Sequence, residues 1–309
     1  MKIVVYGIGG VGGYFGGKLA QTDHHITFIA RGEHLEAIQK NGLYIKSIYG
    51  DFMAKPDLAT DDILEAASPD LILLAVKSWQ VEAVAQHLKP IVGDNTLVLP
   101  LQNGADNADK LLKIFDRKNV LTGLCKIVSF IEGPGKIHHK GFHPQVIFGE
   151  LNNQKTERLQ AVKKVFDTAL FDNKIPEDIH LEIWRKFLFI TTISGIGALT
   201  RTDIGGIRSD NYIRALMLKT AAEIVAVANA KGIALSQTDI ENTFKALDDQ
   251  APDNTASMQR DIMEGKPSEL DNFNGYIVRE GEKHHIPTPV NEFIYYCLLP
   301  METKARSRG

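Results

Sequence analysis

Cysteine and long apolar runs are both scarce in this 309-residue sequence, and each scarcity excludes a class of protein. The two cysteines, Cys125 and Cys297, are too few and too far apart to form a disulfide framework. The longest apolar-rich stretch, residues 187–199, contains Thr, Ser and Gly and is too short to cross a bilayer. The chain also opens without a basic segment and long apolar core, so we expect no secretory leader. A reducing cytoplasm is the expected setting.

The sequence also lacks an excess of charge of one sign. It has 35 Lys and Arg against 38 Asp and Glu, a formal net charge of −3. This balance argues against nucleic acid or an anionic membrane surface as the main partner. The length suggests about two domains, and a hydrophobic content of 44% is enough for sizeable cores. We expect a small-molecule partner and allow for a homodimer.

A glycine-rich turn is the most informative motif present. A β-branched run ends at Tyr6, the glycines Gly7, Gly9, Gly10 and Gly12 follow, and the next residues can continue as a helix. In such a turn the first glycine permits the tight bend, the second lets the backbone approach a pyrophosphate, and the last allows close packing. The helix N-terminus then offers N–H groups and a partial positive charge to phosphates. The segment predicts a dinucleotide site.

A basic residue follows the second predicted strand. The apolar run at residues 26–30 leads directly into Arg31. An NAD-specific site carries Asp or Glu at this place to bond the ribose 2′-hydroxyl, whereas a guanidinium suits a 2′-phosphate. We therefore predict NADP (NADPH) as the cofactor. The alternative is an ordinary solvated arginine.

Short apolar strands alternate with helical stretches in the first part of the chain, as in an α/β fold with a parallel sheet covered on both faces. The predicted strands are 2–6, 26–30, 71–76, 96–101 and 120–130, followed by antiparallel strands at 136–141 and 145–149. Helical periodicity dominates the rest, with predicted helices at 177–199, 210–231, 236–249, 254–261, 268–284 and 289–299. A linker at 171–176 separates a predicted NADP-binding Rossmann-type domain, residues 1–172, from an all-helical substrate and catalytic domain, residues 173–309.

Two polar residues follow predicted strands at the carboxyl edge of the sheet. Lys77 comes after the strand at 71–76, and Asn103 follows the strand at 96–101. Ligands of open α/β sheets bind at this edge, where Lys77 brings a cation and Asn103 brings a donor and an acceptor. Their position alone leaves a surface lysine and an Asn-Gly turn as open alternatives.

A lysine interrupts the apolar sequence of the first helix in the second domain. Lys186 precedes four large apolar residues, Phe-Leu-Phe-Ile. Burial among apolar groups lowers the pKa of a lysine, which suits a general acid working near neutrality. The alternative is a lysine whose ammonium reaches water at the helix edge.

Three polar residues recur at helical spacing further along the chain. Asn254, Ser257 and Asp261 are three and four residues apart. This spacing places them on one face of the helix predicted over residues 254–261.

The next predicted helix begins with a recognisable cap. Ser268 and Asp271 have the spacing of a capping box, in which each side chain bonds the backbone of the other residue. Glu269 is then a first-turn acid, and its ordinary purpose is to interact favourably with the helix dipole.

Together these motifs resemble the ketopantoate reductase (2-dehydropantoate 2-reductase) family, in the family's order and over nearly the whole chain. They are the glycine turn with Arg31, Leu-Ala-Val-Lys77-Ser-Trp79, Gln102-Asn103-Gly104, Glu182-Ile-Trp184-Arg-Lys186, Ser257-Met-Gln-Arg-Asp261 and Ser268-Glu269-Leu-Asp271-Asn-Phe-Asn-Gly275. The resemblance implies a Rossmann-type domain followed by an all-α domain like the C-terminal domain of 6-phosphogluconate dehydrogenase. It also implies reduction of 2-dehydropantoate with NADPH, on the pathway to pantothenate and coenzyme A.

The resemblance further implies roles for single residues. Lys186 matches the family's catalytic lysine, which protonates the carbonyl oxygen, and Glu269 matches the acid that helps hold substrate and cofactor. Cofactor contacts are implied at Gly7, Gly9, Gly10, Gly12, Arg31, Lys77 and Asn103. Substrate contacts are implied at Asn103, Lys186, Asn254, Ser257 and Asp261.

One departure from the family concerns the substrate pocket. Well-known members supply asparagines to the substrate from the helix after the catalytic lysine and the turn that follows it. The matching positions here are Ile190, Ser194 and Ile204. The nearby polar residues that can substitute are Thr191, Thr192 and Arg201, of which the arginine can pair a carboxylate in two-pronged fashion. A reductase of another 2-oxo acid and a non-catalytic NADP-binding sensor are therefore kept as alternatives.

Three histidines are close enough in sequence to suggest a metal site: His138, His139 and His143. Adjacent residues of a strand point to opposite faces, and no carboxylate cluster joins them. We predict that no metal is bound and that all three are surface residues of a hairpin.

Overall fold

The computed structural model describes residues 1–308 and has two compact units, Met1–Ile179 and a second that begins at His180. The strands of the first unit are β1 (Lys2–Tyr6), β2 (His25–Ile29), β3 (Leu43–Ser47), β4 (Phe52–Ala54), β5 (Leu58–Thr60), β6 (Leu71–Leu74), β7 (Leu97–Pro100), β8 (Leu121–Gly133), β9 (Lys136–Glu150) and β10 (Asp172–Lys174). Its helices are α1 (Gly10–Leu19), α2 (Gly32–Asn41), α3 (Val81–Leu88), α4 (Asn107–Leu112) and α5 (Glu157–Thr168). The remaining helices are α6 (Ile179–Thr200), α7 (Ile204–Ser209), α8 (Asn211–Ala230), α9 (Gln237–Asp248), α10 (Ser257–Met263), α11 (Asn274–His284) and α12 (Pro289–Arg306).

The first sheet has the order β5-β2-β1-β6-β7, and all of its strand pairs are parallel. Strands β6 and β7 are buried throughout, which explains their unbroken apolar sequences. The chain passes from β1 to β2 on one side and later returns to β6 on the other side of β1. The strand order therefore reverses between β1 and β6, the place where open α/β sheets bind ligands. The predicted fold class, a Rossmann-type domain followed by an all-helical one, is confirmed.

A second sheet contains the long hairpin of β8 and β9, and here one prediction is wrong. Residues 120–130 were expected to join the parallel sheet, whereas β8 pairs antiparallel with β9 over most of its length. Only the two residues Pro134 and Gly135 connect these strands, and so short a turn can join only antiparallel neighbours. Gly135 has φ +68°, a conformation that glycine adopts without strain.

The sequence predicts that all three histidines of this hairpin lie at the surface, and for His139 that prediction is wrong. His139 is fully buried, with its Nδ1 2.9 Å from the Ser47 hydroxyl and its Nε2 2.9 Å from the Phe142 carbonyl oxygen. Its ring also packs against Tyr14, with 4.7 Å between the ring centroids. The side chain therefore belongs to the core between α1 and this sheet.

Neither a metal-binding cluster nor a membrane-spanning helix is present among residues 1–308. No group of three or more His, Cys, Asp or Glu side chains in this range is arranged to hold a metal ion. None of the helices in the same range combines the length and apolar character needed to cross a membrane.

The predicted linker contains a strand. Asp172–Lys174 pairs in parallel with β9, with Asp172 opposite Gln145 and Lys174 opposite Ile147. The first unit consequently extends to Ile179, whereas the sequence placed its end after residue 172. A three-residue polar strand has no hydrophobic pattern of its own, so only its pairing with β9 identifies it.

Helices α6, α8, α9 and α12 follow the predicted periodicity, while two other helices begin later than expected. Helix α10 begins at Ser257, so Asn254 lies in the preceding loop and the three polar residues do not share one helical face. Helix α11 begins at Asn274, and the predicted box between Ser268 and Asp271 does not form. The Ser268 hydroxyl instead donates to Glu302. The described part of the second unit contains no strand.

A buried carboxylate joins the end of β9 to the start of α5. Glu150 accepts hydrogen bonds from the Thr156 hydroxyl (2.6 Å) and from Nε of Arg158 (2.7 Å). Burial opposes ionisation of this carboxyl group, but the bonds from Arg158 and Thr156 outweigh it and lower the pKa of Glu150. Because the folded-state pKa lies below the unfolded one, the stabilisation exists at neutral pH and is lost as pH falls through the folded-state value.

We predict that Glu150→Gln destabilises the protein by about 1–3 kcal/mol at neutral pH, because the Thr156 hydroxyl and the Arg158 guanidinium lose their charged acceptor. The difference from wild type should shrink at acid pH, below the usual glutamate pKa of about 4.3. Thermal unfolding at several pH values measures both effects. The exposed Glu36→Gln is the matched control and should change little. An effect of Glu150→Gln that is the same at every pH would contradict the explanation.

Candidate active-site residues

The glycine turn after β1 is shaped by close packing. Gly7 has φ +93°, and a Cβ at Gly12 would lie 2.1 Å from the Gly7 carbonyl oxygen. A Cβ at Gly10 would lie 2.0 Å from the backbone oxygen of Ser129 on β8. Any side chain at Gly10 or Gly12 would therefore push α1 away from its neighbours. These glycines bring the start of α1 against the end of β1.

Gly9 differs from its neighbours because its missing side chain faces open space. Apart from Gly9 itself and its chain neighbours, no atom of residues 1–308 lies within 4 Å of a Cβ built at Gly9, and its φ of −84° is open to any residue. Packing thus gives no reason for glycine at this position. Gly9 is also the N-cap of α1, where backbone N–H groups and the helix dipole favour an anion. This geometry fits a backbone that must approach a pyrophosphate closely.

Three further predicted residues lie beyond the carboxyl ends of strands in the parallel sheet. Arg31 follows β2, Lys77 follows β6, and Asn103 follows β7, so the structure brings their loops to one edge. Arg31 and Lys77 are exposed and Asn103 is half-buried. Nη2 of Arg31 donates to the Tyr6 hydroxyl at 3.3 Å. The edge of the sheet where ligands of this fold bind is therefore basic and polar.

Buried amides hold the loop that carries Asn103, and sequence reasoning missed them. Nε2 of Gln102 donates to the Leu74 carbonyl oxygen (2.8 Å), and Nδ2 of Asn107 donates to that of Asn103 (3.1 Å). In the sequence, Gln102 is marked only by its position before Asn103. Asn107 is marked only as a polar residue about one helical turn after Asn103. The loops after β6 and β7 are also joined, because Lys110 contacts both the Ser78 carbonyl oxygen and Asp106.

In the second unit, Lys186 is half-buried on α6 beside an aromatic cluster. The cluster consists of Trp184, Phe187, Phe273 and Tyr276, with ring centroids 5.4 to 6.2 Å apart. Phe187 directly follows Lys186, and the backbone N–H of Phe273 donates to the carbonyl oxygen of Glu269 at 3.0 Å. The cluster therefore packs the segment of Lys186 against the segment of Glu269.

Glu269 is buried in a turn that is held by the C-terminal helix. Glu302 of α12, itself only 3% exposed, accepts hydrogen bonds from the backbone N–H and the hydroxyl of Ser268. Nη2 of Arg306 donates to the Ser268 carbonyl oxygen at 3.0 Å, and its Nε lies 2.7 Å from Glu302. Glu269 is therefore not the exposed first-turn acid of a helix, because α11 begins five residues later. The sequence offered no signal for Glu302.

A second set of bonds holds the other end of the same turn. Asp271 accepts hydrogen bonds from Arg279 (2.8 Å) and from the Tyr295 hydroxyl (2.9 Å). Burial and the neighbouring Asp271 raise the pKa of Tyr295 to about 12, so its phenol remains a neutral donor at physiological pH. The turn with Glu269 is thus anchored on both sides.

The predicted substrate residues on and before α10 lie near the far end of α6. A Cβ at Gly197 would lie 2.4 Å from Oε1 of Gln259, so α10 packs closely on this end of α6. The Asn254 carbonyl oxygen accepts from the backbone N–H of Ile204 at 3.0 Å. Ser257 is the first residue of α10 and Asp261 lies one turn later.

The positions that depart from the family are mixed in character. Ile190 is half-buried, and Ser194 and Ile204 are buried. The two threonines between them in sequence, Thr191 and Thr192, are fully buried, and neither hydroxyl oxygen has a hydrogen-bond partner among residues 1–308. Arg201 is exposed and has a φ of +56°; its Nη2 lies 3.7 Å from the Met301 sulfur. The hydroxyl groups of Thr191 and Thr192 on α6 are therefore able to form further hydrogen bonds, next to the apolar Ile190.

Comparison with known proteins decides the family. Residues 3–153 match the family described as ketopantoate reductase PanE/ApbA, and residues 178–302 match the ketopantoate reductase PanE/ApbA C-terminal family. The chain belongs to the ketopantoate reductase family. Members of this family are NADP-dependent oxidoreductases, and this chain is one of them.

Relatives of this ketopantoate reductase family member match it from end to end. It is 30% identical to the "Uncharacterized oxidoreductase YkpB" of Bacillus subtilis, over 98% of this chain and 100% of the other. It is also 30% identical to the 2-dehydropantoate 2-reductase of Pyrococcus horikoshii, over 97% of this chain and 96% of the other. The crystal structure of a PanE/ApbA family ketopantoate reductase from Ralstonia eutropha is similar, with a TM-score of 0.91 and 28% identity, and the match covers 99% and 100% of the two chains.

The glycine turn of this ketopantoate reductase family member supports a paired prediction. Gly9→Ala should leave thermal unfolding unchanged, because its methyl group meets no protein atom. It should weaken NADPH binding by roughly tenfold or more, because the sequence predicts that the turn approaches the pyrophosphate closely and a methyl group would separate them. Gly12→Ala should instead destabilise the fold by about 1–3 kcal/mol, because its Cβ meets the Gly7 carbonyl oxygen. Fluorescence titration with NADPH and thermal unfolding give the two readouts. Wild-type NADPH affinity in Gly9→Ala would rule out the proposed contact.

Proposed function

We propose that this protein reduces the ketone of 2-dehydropantoate to the alcohol with NADPH, in the cytoplasm, as a step toward pantothenate and coenzyme A. The observation that carries the proposal is the packing of the Lys186 segment against the Glu269 segment in the helical unit. A proton donor and a buried acid are thereby held on neighbouring elements of an NADP-dependent oxidoreductase. A homodimer remains a prediction that the oligomeric state in solution will decide.

The first unit supports the cofactor part of the proposal. In our proposal the turn from Gly7 to Gly12 holds the pyrophosphate, Arg31 binds the 2′-phosphate, and Lys77 and Asn103 line the rest of the cofactor. The open space at Gly9 and the basic residues beyond β2 and β6 fit this assignment. NADPH supplies the hydride when it is bound.

The second unit supports the proton-transfer part. As negative charge develops on the carbonyl oxygen of the substrate, the Lys186 ammonium stabilises it and donates the proton that completes the alcohol. Glu269 helps to hold the substrate, since a buried carboxylate can accept hydrogen bonds from hydroxyl groups. Asn103, Asn254, Ser257 and Asp261 are proposed as further substrate contacts.

Reduction of a different 2-oxo acid is the second candidate, and specific residues favour it. Ile190 and Ile204 stand where known members supply asparagines, so the pocket is less polar at these two positions. A pocket built to hydrogen-bond a hydroxyl discriminates strongly for that group, whereas an apolar pocket discriminates weakly. The identity of the acid therefore depends on whether Thr191, Thr192 and Ser194 replace the missing amides.

A substrate panel tests the proposed activity. NADPH absorbance should fall when 2-dehydropantoate is added, and more slowly with 2-oxo acids of other size that lack its hydroxyl group. Faster oxidation with another 2-oxo acid would favour the second candidate. No oxidation with any member of the panel would contradict both candidates.

Lys186→Ala should lower turnover by at least about a hundredfold, because positioned acid catalysis and charge stabilisation are each typically worth that factor. The exposed Lys219→Ala on α8 is the matched control and should retain wild-type turnover. Steady-state NADPH oxidation with the preferred substrate measures both variants. Undiminished turnover in Lys186→Ala would remove Lys186 from the mechanism.

A further inference from the structure

Tyr6 is a buried tyrosine at the carboxyl end of β1, only 4% exposed, and it is the residue just before the glycine turn. Its side chain belongs to the buried apolar core that also contains Val81, Val84 and Leu88 of α3. A phenol that enters an apolar core needs a partner for its hydroxyl group. The Tyr6 hydroxyl has two, one on Arg31 after β2 and one on α3.

One partner is Arg31, which is the residue proposed to recognise the 2′-phosphate. Tyr6 on β1 is paired with Ile29, the last residue of β2, so Arg31 lies two residues beyond the partner of Tyr6. Nη2 of Arg31 donates to the Tyr6 oxygen at 3.3 Å. A guanidinium has five N–H donors, so this single bond leaves the others available for a phosphate. The side chain is otherwise exposed.

The other partner is His87 on α3, whose Nδ1 lies 3.0 Å from the Tyr6 oxygen. A guanidinium can only donate, so the Tyr6 oxygen accepts from Arg31 and its own proton is available for the imidazole. In the tautomer of His87 that has its ring proton on Nε2, Nδ1 accepts this proton. The rings of Tyr6 and His87 also meet edge to face, with centroids 6.1 Å apart. The three residues form a chain of hydrogen bonds from α3 to the end of β2.

We infer that Tyr6 is a positioning residue that holds the Arg31 guanidinium for the 2′-phosphate and so increases the preference for NADPH over NADH. This inference rests on the proposed role of Arg31. A long exposed arginine loses considerable side-chain entropy when it binds a phosphate, and a fixed neighbour reduces that loss. NADH has no 2′-phosphate, so its binding gains nothing from the restraint. The hydrogen bond to His87 fixes the orientation of the Tyr6 hydroxyl.

Cofactor selectivity tests the inference. We would measure the ratio of kcat/KM for NADPH to that for NADH in Tyr6→Phe, Arg31→Ala and the double variant, using the preferred substrate. Tyr6→Phe removes only the hydroxyl oxygen, and we expect the ratio to fall about three- to tenfold, the range for one hydrogen bond. Arg31→Ala should lower the ratio further, and adding Tyr6→Phe to it should change nothing more. His87→Phe should lower the ratio in the same direction.

The matched control is Tyr44→Phe, which removes a hydroxyl bonded to Asp51 in the second sheet and should leave the ratio unchanged. A general loss of stability would lower kcat/KM for both cofactors and leave their ratio intact, so it cannot imitate the expected result. A wild-type ratio in Tyr6→Phe beside a lowered ratio in Arg31→Ala would overturn this inference alone. An unchanged ratio in Arg31→Ala would overturn the proposed role of Arg31 and the inference together.

Discussion

The close approach of α1 to the end of β1 is the constraint on which the glycine turn of the first unit depends. A side chain at Gly12 would overlap the Gly7 carbonyl oxygen, so the helix can reach this position only without one. The approach sets the helix N-terminus beside the switch point of the parallel sheet, where helix dipole and strand order favour the same ligand position. Gly9 then stands apart as the one glycine of the four whose missing side chain leaves room for something outside the protein.

The helical unit contains charged groups that are buried among apolar neighbours, and hydrogen bonds stabilise them there. Glu269 is buried in a turn that residues of α12 anchor, with Glu302 and Arg306 at one end and Tyr295 at the other. Charge-assisted bonds of this kind are worth more than neutral ones and also fix geometry. An aromatic cluster then joins this turn to α6. Rigid support of this kind is what the proposed proton-transfer role requires.

Membership of the family and identity of the substrate rest on different parts of the chain. The fold and the match to the family over residues 3–153 and 178–302 define a reaction class, NADP-dependent oxidoreduction. Substrate choice depends on the few residues that contact the substrate. On α6 the sequence predicts Ile190 and Ser194 at two positions where the family has asparagines, and the hydroxyl groups of Thr191 and Thr192 are buried with no hydrogen-bond partner among residues 1–308. Fold and reaction type can therefore be retained while the pocket changes.

Sequence alone determined whatever depends on neighbours a few residues apart. Local properties include helical and strand periodicity, the sterics of the glycine turn and the placement of Arg31, Lys77 and Asn103 after strands. The structure agrees with these predictions except at the starts of α10 and α11. Tertiary structure alone decided the antiparallel pairing of β8, the strand at Asp172–Lys174, the burial of His139 and the link from Tyr6 to Arg31 and His87. Those features join residues that are far apart in the chain or that have no periodic pattern. Their stability depends on pairing and burial, which the sequence of a short segment does not predict.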